Sequence, residues 1–591
     1  MAKVKGYEFL QVGTSIALQP RRSVEILPVR KGKALGRAAK PQSSTGLFIV
    51  PGVVGFALAG PGQSRARRKR KQNTAVCDTA VEVKETSEVT DKRGYDREAW
   101  IQGYNSAQEE TCCSLYSEAL PKGLRGSYFR NGPAKFKVGD DQIMHPFDGD
   151  GMVCAVTFDG TGHAHFRNRY VRTPGFVEEL EAKKMLYRGQ FSQKSGGFLA
   201  NAFDMRVKNL ANTNVMHWAG RLFALWEGGL PMELDPLSLS TKGFSDFDGS
   251  LTKKDTFTAH PRFDAKTVRK VGFQYQPDPV AGITNISFWE FAPEGFDLVQ
   301  RVDVEVPGFG FYHDFLVTDS YYILSRAPVE ISPQRGLEGL LGFRSMGESI
   351  DFDEQQPTQL VLVPRDGSEA RYVDLDTHFC FHYANGFEED EKLILDFVRT
   401  PSLELGNASA QQKPLWEVME LESLDPNRFT RYEIDKSTGS WTKQELSDQH
   451  VDFPSINPAY STKPYRFAWC ATSALDGVTA PLQGLVKVDV TGKEPQQIWL
   501  PEAAEFIGEV IFCPDGGDAE DDGYLVGISV DGRKKSSDLL VFDARDIRDG
   551  PICRLPLPAF IPHALHGSYV PGLVPSAAEI QAAWEETPTS L

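Results

Sequence analysis

Four of the eleven histidines stand in words of one kind: His260 in FTAHPRFD, His313 in FYHDFLV, His382 in FCFHYANGFEE and His566 in HALHGSYVP. The gaps between them, 53, 69 and 184 residues, are too long for local zinc-finger or HExxH arithmetic. Each word sets an aromatic or β-branched run against a small or turn-forming residue, as a short strand does when it delivers a side chain to a centre. A closed ring of strands could carry four such positions to one axis, where four neutral imidazoles would hold a divalent transition metal. Spacing alone leaves the ordinary reading in place, because most histidines in a long chain are surface or satisfied core residues.

The local words go further. TAHPRFD, YHDF, FHYANGFEE and HGSYVP, together with GSYFRNGP, HPFDGDGM, LANTNVMHWAGRLFALWEGGLPMELDP and EDDGYLVGISVD, resemble the carotenoid cleavage dioxygenase family. The resemblance runs from about Trp100 to the C-terminus. It implies that the four histidines bind Fe(2+) on the axis of a seven-bladed β-propeller with a helical cap on one face. The family pattern carries over onto Glu227 (ALWEGG), Asp452 (VDFPSIN) and Glu509 (GEVIFCP) as acceptors for the second ring nitrogens of the ligand histidines. Position 452 departs from the glutamate common in the family, and the shorter side chain predicts a longer or water-mediated bond. His378 competes with His382, and His563 with His566. His378 and His382, four apart, would face one side of a strand, so alternation cannot choose between them; the FHxxN and HG words select His382 and His566. His217 and His145 belong to matching words but to no ligand position.

The implied activity is cleavage of one carbon–carbon double bond of a carotenoid or apocarotenoid, with O2 as co-substrate. Stilbene cleavage and trans–cis isomerisation of a polyene are the alternatives on the same iron site. A non-catalytic propeller scaffold is the remaining class, against which the four intact ligand words stand. Phe309, Phe311, Tyr312 and Phe315 around His313, and Phe379, Phe381 and Tyr383 around His382, suit a dry tunnel for a long apolar polyene, although core packing explains any one of them equally well.

The elements that must position these residues are short strands. From Leu124 onward, runs such as MVCAVTFDG, RLFALWEG, ISFWEFA, QLVLVPRDG, KLILDFV, YRFAWCA and YLVGISVD alternate apolar and polar residues, and Gly, Asp, Pro or Asn closes each. Fifty-three Gly and 37 Pro fit many turns. The pattern gives an all-β body over 96–591, and the resemblance supplies the propeller. YDREAWIQGYNSAQEE reads as helical. Residues 335–346 break the strand pattern: Leu337, Leu340, Leu341, Phe343 and Met346 would make an apolar stripe flanked by Arg335 and Arg344. Either the stripe packs on the propeller or it dips into a bilayer, and the resemblance to monotopic enzymes favours the second. FDGDG at 147–151 resembles the start of a calcium loop but lacks the later acids, so it reads as a tight turn.

The net charge of −16 conceals an asymmetry. Residues 1–75 hold 15 Lys and Arg against two acids, Glu8 and Glu25. The acidic body behind them argues against nucleic acid as a partner. An acid-poor segment with an apolar stretch at 46–60 and the cluster RARRKRK at 65–71 is expected to be an unfolded plastid-targeting presequence. Nuclear, secretory and cytoplasmic locations are the alternatives, and residues 76–95 read as a linker. Eight cysteines without a CxxC pair read as reduced thiols in an intracellular protein. No apolar run of 18 residues exists to span a membrane as a helix.

Overall fold

The computed structural model describes residues 94–406 and 412–587. The proposed presequence and nearly all of the linker lie outside the described residues. Seven antiparallel sheets of four or five strands follow one another along the chain. Blade 1 spans 214–244, blade 2 spans 262–307, blade 3 spans 316–375 and blade 4 spans 383–445. Blades 5 and 6 occupy 451–499 and 505–556. Blade 7 is composite: Cys112–Tyr116, Arg125–Lys135, Asp150–Asp159 and His163–Tyr170 from the front of the body are completed by the last strand, Gly567–Pro571. That strand pairs with Arg125–Lys135 in antiparallel register, Arg130 opposite Gly567, so the two ends of the body close the ring and no blade is left with an open seam. The structure is the seven-bladed propeller that the resemblance implies.

The alternating runs become strands because their apolar residues fill the spaces between blades. Val271, Phe273, Phe288, Phe315, Tyr322 and Val361 form one buried cluster shared by blades 2 and 3. Leu316, Leu360, Leu395 and Tyr432 join blades 3 and 4. Strands in the middle of a blade, such as Lys392–Arg399, are buried along nearly their whole length, whereas the outer strand Leu298–Pro307 buries only Val302 and Val306. Tyr312, Phe315 and Tyr383 belong to these inter-blade cores rather than to a tunnel.

Helices are few and short. The segment read as helical at the start of the body forms one only over Arg97–Gln102, opened by the Asp96 side chain, which accepts from the Ala99 N–H at 3.1 Å. The 335–346 stripe is helical over Pro333–Leu340 and then turns. Leu337 and Phe343 are exposed while Leu340 and Leu341 are half-buried, so the stripe is divided between solvent and the body. Together with Gly197–Asn201, Leu415–Val418 and their loops these pieces make the cap. No described helix is long and apolar enough to cross a membrane.

Candidate metal centre

Each of the four predicted histidines stands within three residues of the start of the innermost strand of its blade. His260 precedes Arg262–Asp264, His313 precedes Leu316–Val317, His382 precedes Tyr383–Glu389 and His566 precedes Gly567–Pro571. Blades radiate from the ring axis and each lines it with its innermost strand, so one equivalent position repeated in four blades brings four side chains together. Their candidate ligand nitrogens all lie within 4.8 Å of one another. Ring centroids are 4.5 Å apart for His260–His313 and His260–His566, and 4.9 Å for His382–His566. The Nε2 atoms of His260 and His313 face each other at 2.9 Å.

Three of the four rings are held from behind. His313 Nδ1 meets Glu227 Oε2 at 2.6 Å, His382 Nδ1 meets Asp452 Oδ1 at 2.7 Å and His566 Nδ1 meets Glu509 Oε1 at 2.8 Å. A carboxylate accepts only, so each bond fixes the proton on Nδ1 and aims the Nε2 lone pair at the centre. The longer or water-mediated bond expected for Asp452 is not what the structure has; the contact is direct. The reason lies in the backbone. The strand Val451–Ile456 shifts register between Asp452 and Ser455, and Phe453 takes a left-handed φ of 51°. This bulge lets the shorter side chain reach the imidazole and turns the Phe453 ring against His382 and His566, at 4.8 and 4.9 Å. Left-handed backbone is uncommon for a bulky residue and is a form of strain concentrated at functional sites.

At two of the four rings electrostatics favour neutral nitrogen, the form that binds a cation. Burial, reinforced by the neighbouring imidazoles, holds His260 and His566 well below the usual histidine range. Burial also pulls His313 down, but the charge and hydrogen bond of Glu227 outweigh it. Burial pushes Glu509 up to about 7, opposed by the Arg130 guanidinium, whose Nη1 donates to Glu509 Oε2 at 3.0 Å. With four convergent nitrogens and three carboxylates that spend their hydrogen bonds on the rings, the donor set fits a divalent transition metal with coordination positions to spare.

The family description "Retinal pigment epithelial membrane protein" (RPE65) matches residues 105–571. The chain belongs to the RPE65/carotenoid oxygenase family. It is 38% identical to the apocarotenoid-15,15'-oxygenase of Synechocystis over 489 residues, which cover 81% of this chain and 97% of that protein. It is 30% identical to lignostilbene-alpha,beta-dioxygenase isozyme III of Sphingomonas paucimobilis, over 76% of this chain and 92% of that one. The crystal structure of cobalt-substituted Synechocystis ACO superposes with a TM-score of 0.76 at 37% identity, covering 81% of this chain and all of that one.

In this carotenoid oxygenase three of the four rings, those of His313, His382 and His566, open onto a cavity of about 350 Å³ under the cap. His313, His382, His566, Glu227 and Asp452 line it, with Phe311 and Phe381 from the sequence-predicted aromatic set and with Phe147, Phe191, Trp226 and Phe453, which that set lacked. The competing histidines fall elsewhere. His378 is buried between blade strands, stacked on Phe397 and Tyr432, with Nδ1 on the Asp376 carbonyl. His563 reaches the cavity wall, but its Nε2 is bonded to the Trp100 carbonyl at 3.0 Å. His145 and His217 are also outside the cluster.

Two residues escaped the sequence reading. Asp314, directly after His313, is buried and accepts from the Arg262 guanidinium and from the Tyr383 N–H at 2.9 Å. Arg262 lies two residues after His260 and Tyr383 one after His382, so a single carboxylate sets the spacing of three candidate ligands. Arg130, almost fully buried, does the like for Glu509. The signal for both was a charged residue inside an otherwise apolar strand word, YHDF and GSYFRNGP.

Proposed function

We propose that the chain is an Fe(2+)-dependent dioxygenase that cleaves one carbon–carbon double bond of a carotenoid or apocarotenoid with O2, giving two carbonyl products. One observation carries this reading: four imidazoles converge, without a carboxylate or thiolate among them, and three of them line a cavity walled by aromatic rings. The apocarotenoid oxygenase that resembles the chain over nearly its whole length supports the same substrate class.

His260, His313, His382 and His566 would hold the iron, which supplies dioxygen binding and electron transfer to oxygen. The remaining work is done by the chain. Glu227, Asp452 and Glu509 keep the rings in the ligating tautomer. Phe311, Phe381 and Phe453 lay a polyene beside the centre through apolar contact and exclude water. Both oxygen atoms end in the products and the alkene supplies the electrons, so the balance needs no external reductant. No protein acid or base is required at the reacting carbons. A stilbene substrate is the second reading, supported by the likeness to the lignostilbene dioxygenase. A panel of carotenoids, apocarotenoids and stilbenes given to the iron-loaded protein decides between them by product mass.

The apolar cap supports peripheral membrane association as part of this reading. Leu199 is 78% exposed, Phe203 68% and Phe343 56%, and the Phe198 and Phe343 rings stack at 5.1 Å. The Phe203 N–H donates to the Leu340 carbonyl at 2.8 Å, joining the 197–203 and 333–343 segments into one apolar patch. Arg335 and Arg344 are bonded to Asp351 and Glu338, so the attraction rests on apolar burial more than on headgroup charge. Plastid import by residues 1–75 completes the reading, supported by their cationic, acid-poor composition; a fluorescent fusion that collects in the nucleus instead would overturn it.

A further inference from the structure

The word HPFDGDG lies outside the metal centre, yet it is built into the cavity wall. Pro146–Asp148 forms a tight turn rather than a cation loop. The Phe147 N–H donates to His145 Nδ1 at 3.1 Å, so the ring proton sits on Nε2, which donates to the Leu405 carbonyl at 3.1 Å. The turn ends in Asp148, whose side chain is buried. It accepts from the Gln190 N–H at 2.8 Å, the Phe191 N–H at 3.2 Å and the Ser192 hydroxyl at 2.6 Å. All its hydrogen bonds therefore come from one loop. The nearby cation Lys208 is taken by Asp150 and Glu179, at 2.7 and 2.6 Å.

That loop has the cavity on one side and the apolar patch on the other. Phe191 lines the cavity and packs against His145 and Phe147, at 4.8 and 5.7 Å. On the far side the Gly347 N–H donates to the Gln190 carbonyl at 2.8 Å, and Gln193 donates to the Gly342 carbonyl at 2.8 Å. Arg188, also buried, donates to the carbonyls of Gly339 and Arg344 at 3.0 and 2.8 Å. Two close approaches leave no room for a side chain. A Cβ at Gly189 would stand 2.2 Å from Asp148 Oδ2, and one at Gly347 would stand 2.5 Å from the Phe191 ring.

We propose that Asp148 is a positioning residue for substrate admission: it clamps the 188–193 loop between the cavity wall and the exposed apolar patch, so that the two move as one body. The inference rests on the proposed polyene-cleaving activity only for its kinetic readout. A buried carboxylate with three donors from a single loop is a strong, local tether, and its removal loosens the passage without touching the metal ligands.

The test uses the full chain loaded with iron, comparing Asp148→Asn and Ser192→Ala with the unaltered protein. Asp148→Asn keeps the shape but turns an amide toward the loop's N–H donors; Ser192→Ala removes one donor. KM for an apocarotenal delivered in phosphatidylcholine vesicles is expected to rise roughly tenfold in Asp148→Asn and two- to threefold in Ser192→Ala. Iron content should be unchanged and kcat altered by less than about threefold. Amide hydrogen exchange should accelerate together in 188–193 and 339–347. Unchanged KM, a fall in kcat alone, loss of iron from a folded variant, or acceleration confined to 188–193 would each overturn the clamp. Should Asp148→Asn fail to fold, Ser192→Ala decides by the same readouts. If the unaltered protein cleaves no apocarotenoid, the functional reading fails, while hydrogen exchange still judges the clamp.

Discussion

The ring axis and the cap are built on different principles. At the axis, one position repeats: the start of the innermost strand carries His260, His313, His382 and His566 in four blades, while Asp452 and Glu509 lie at the innermost strands of blades 5 and 6. Geometry there is set by the closed ring and is shared among blades, as Asp314 illustrates by bonding residues of blades 2 and 4. In the cap nothing repeats. Short helices and loops from distant parts of the chain are tied by single side chains, Asp148 and Arg188 among them. The difference implies a division of labour in which the axis fixes the chemistry and the cap decides what reaches it.

Substitutions at the axis should therefore have the largest effects. His260→Ala, His313→Ala, His382→Ala or His566→Ala should each leave a folded protein with activity at background and iron lost or substoichiometric, read by metal analysis. His378→Ala and His563→Ala should retain iron. Asp314→Ala should also lose iron although it ligates nothing, because three ligand-bearing strands lose their common acceptor; full iron occupancy in that variant would show the ring holds its spacing without it. Asp452→Ala should reduce activity or iron affinity by roughly 10–100-fold. Asp452→Glu should be tolerated, and an alanine variant with unchanged turnover would remove Asp452 from the centre.

The cap should answer differently. Replacing Leu199, Phe203 and Phe343 together with Ser should release the protein from liposomes and slow cleavage of bilayer-borne substrate, while detergent-solubilised apocarotenoid is cleaved nearly as before. Each exposed side chain contributes little to folding, so stability should shift by about 0.5 kcal/mol or less per site. An unfolded triple variant would mean that these side chains are core.

The contrast also explains what could be read in advance. Strand runs such as KLILDFV and YLVGISVD announce themselves by alternation, and all four histidine words sit at strand starts, which local sequence marks. The direct Asp452–His382 bond was not legible, because a bulge that turns Phe453 left-handed follows from ring packing and not from VDFP itself. The apolar patch was half legible. Leu337 and Phe343 lie in a visible stripe, but Leu199 and Phe203 sit far away in sequence, and the Phe203–Leu340 hydrogen bond and the Phe198–Phe343 ring stack make them neighbours. Asp148 looked like the opening of a calcium loop because its bonding partners are more than forty residues further on.

A pH dependence separates a core histidine from the centre. His378 is fully buried and neutral, and burial lowers it to about 4. The unfolded chain takes up this proton first, so the contribution to stability is intact above about pH 6.5 and is lost as pH falls from there through about 4. His378→Gln should flatten the acid limb of unfolding free energy against pH by up to about 1.4 kcal/mol per pH unit inside that window. An unchanged slope would mean that His378 titrates normally.

The most direct test of the central claim is one turnover experiment. The protein is loaded anaerobically with Fe(2+), mixed with an apocarotenoid and O2, and the products are weighed by mass spectrometry. Two carbonyl fragments whose summed mass equals substrate plus one O2, absent in His313→Ala, are the predicted result. A product of unchanged mass, or fragments that form equally without iron, would contradict it.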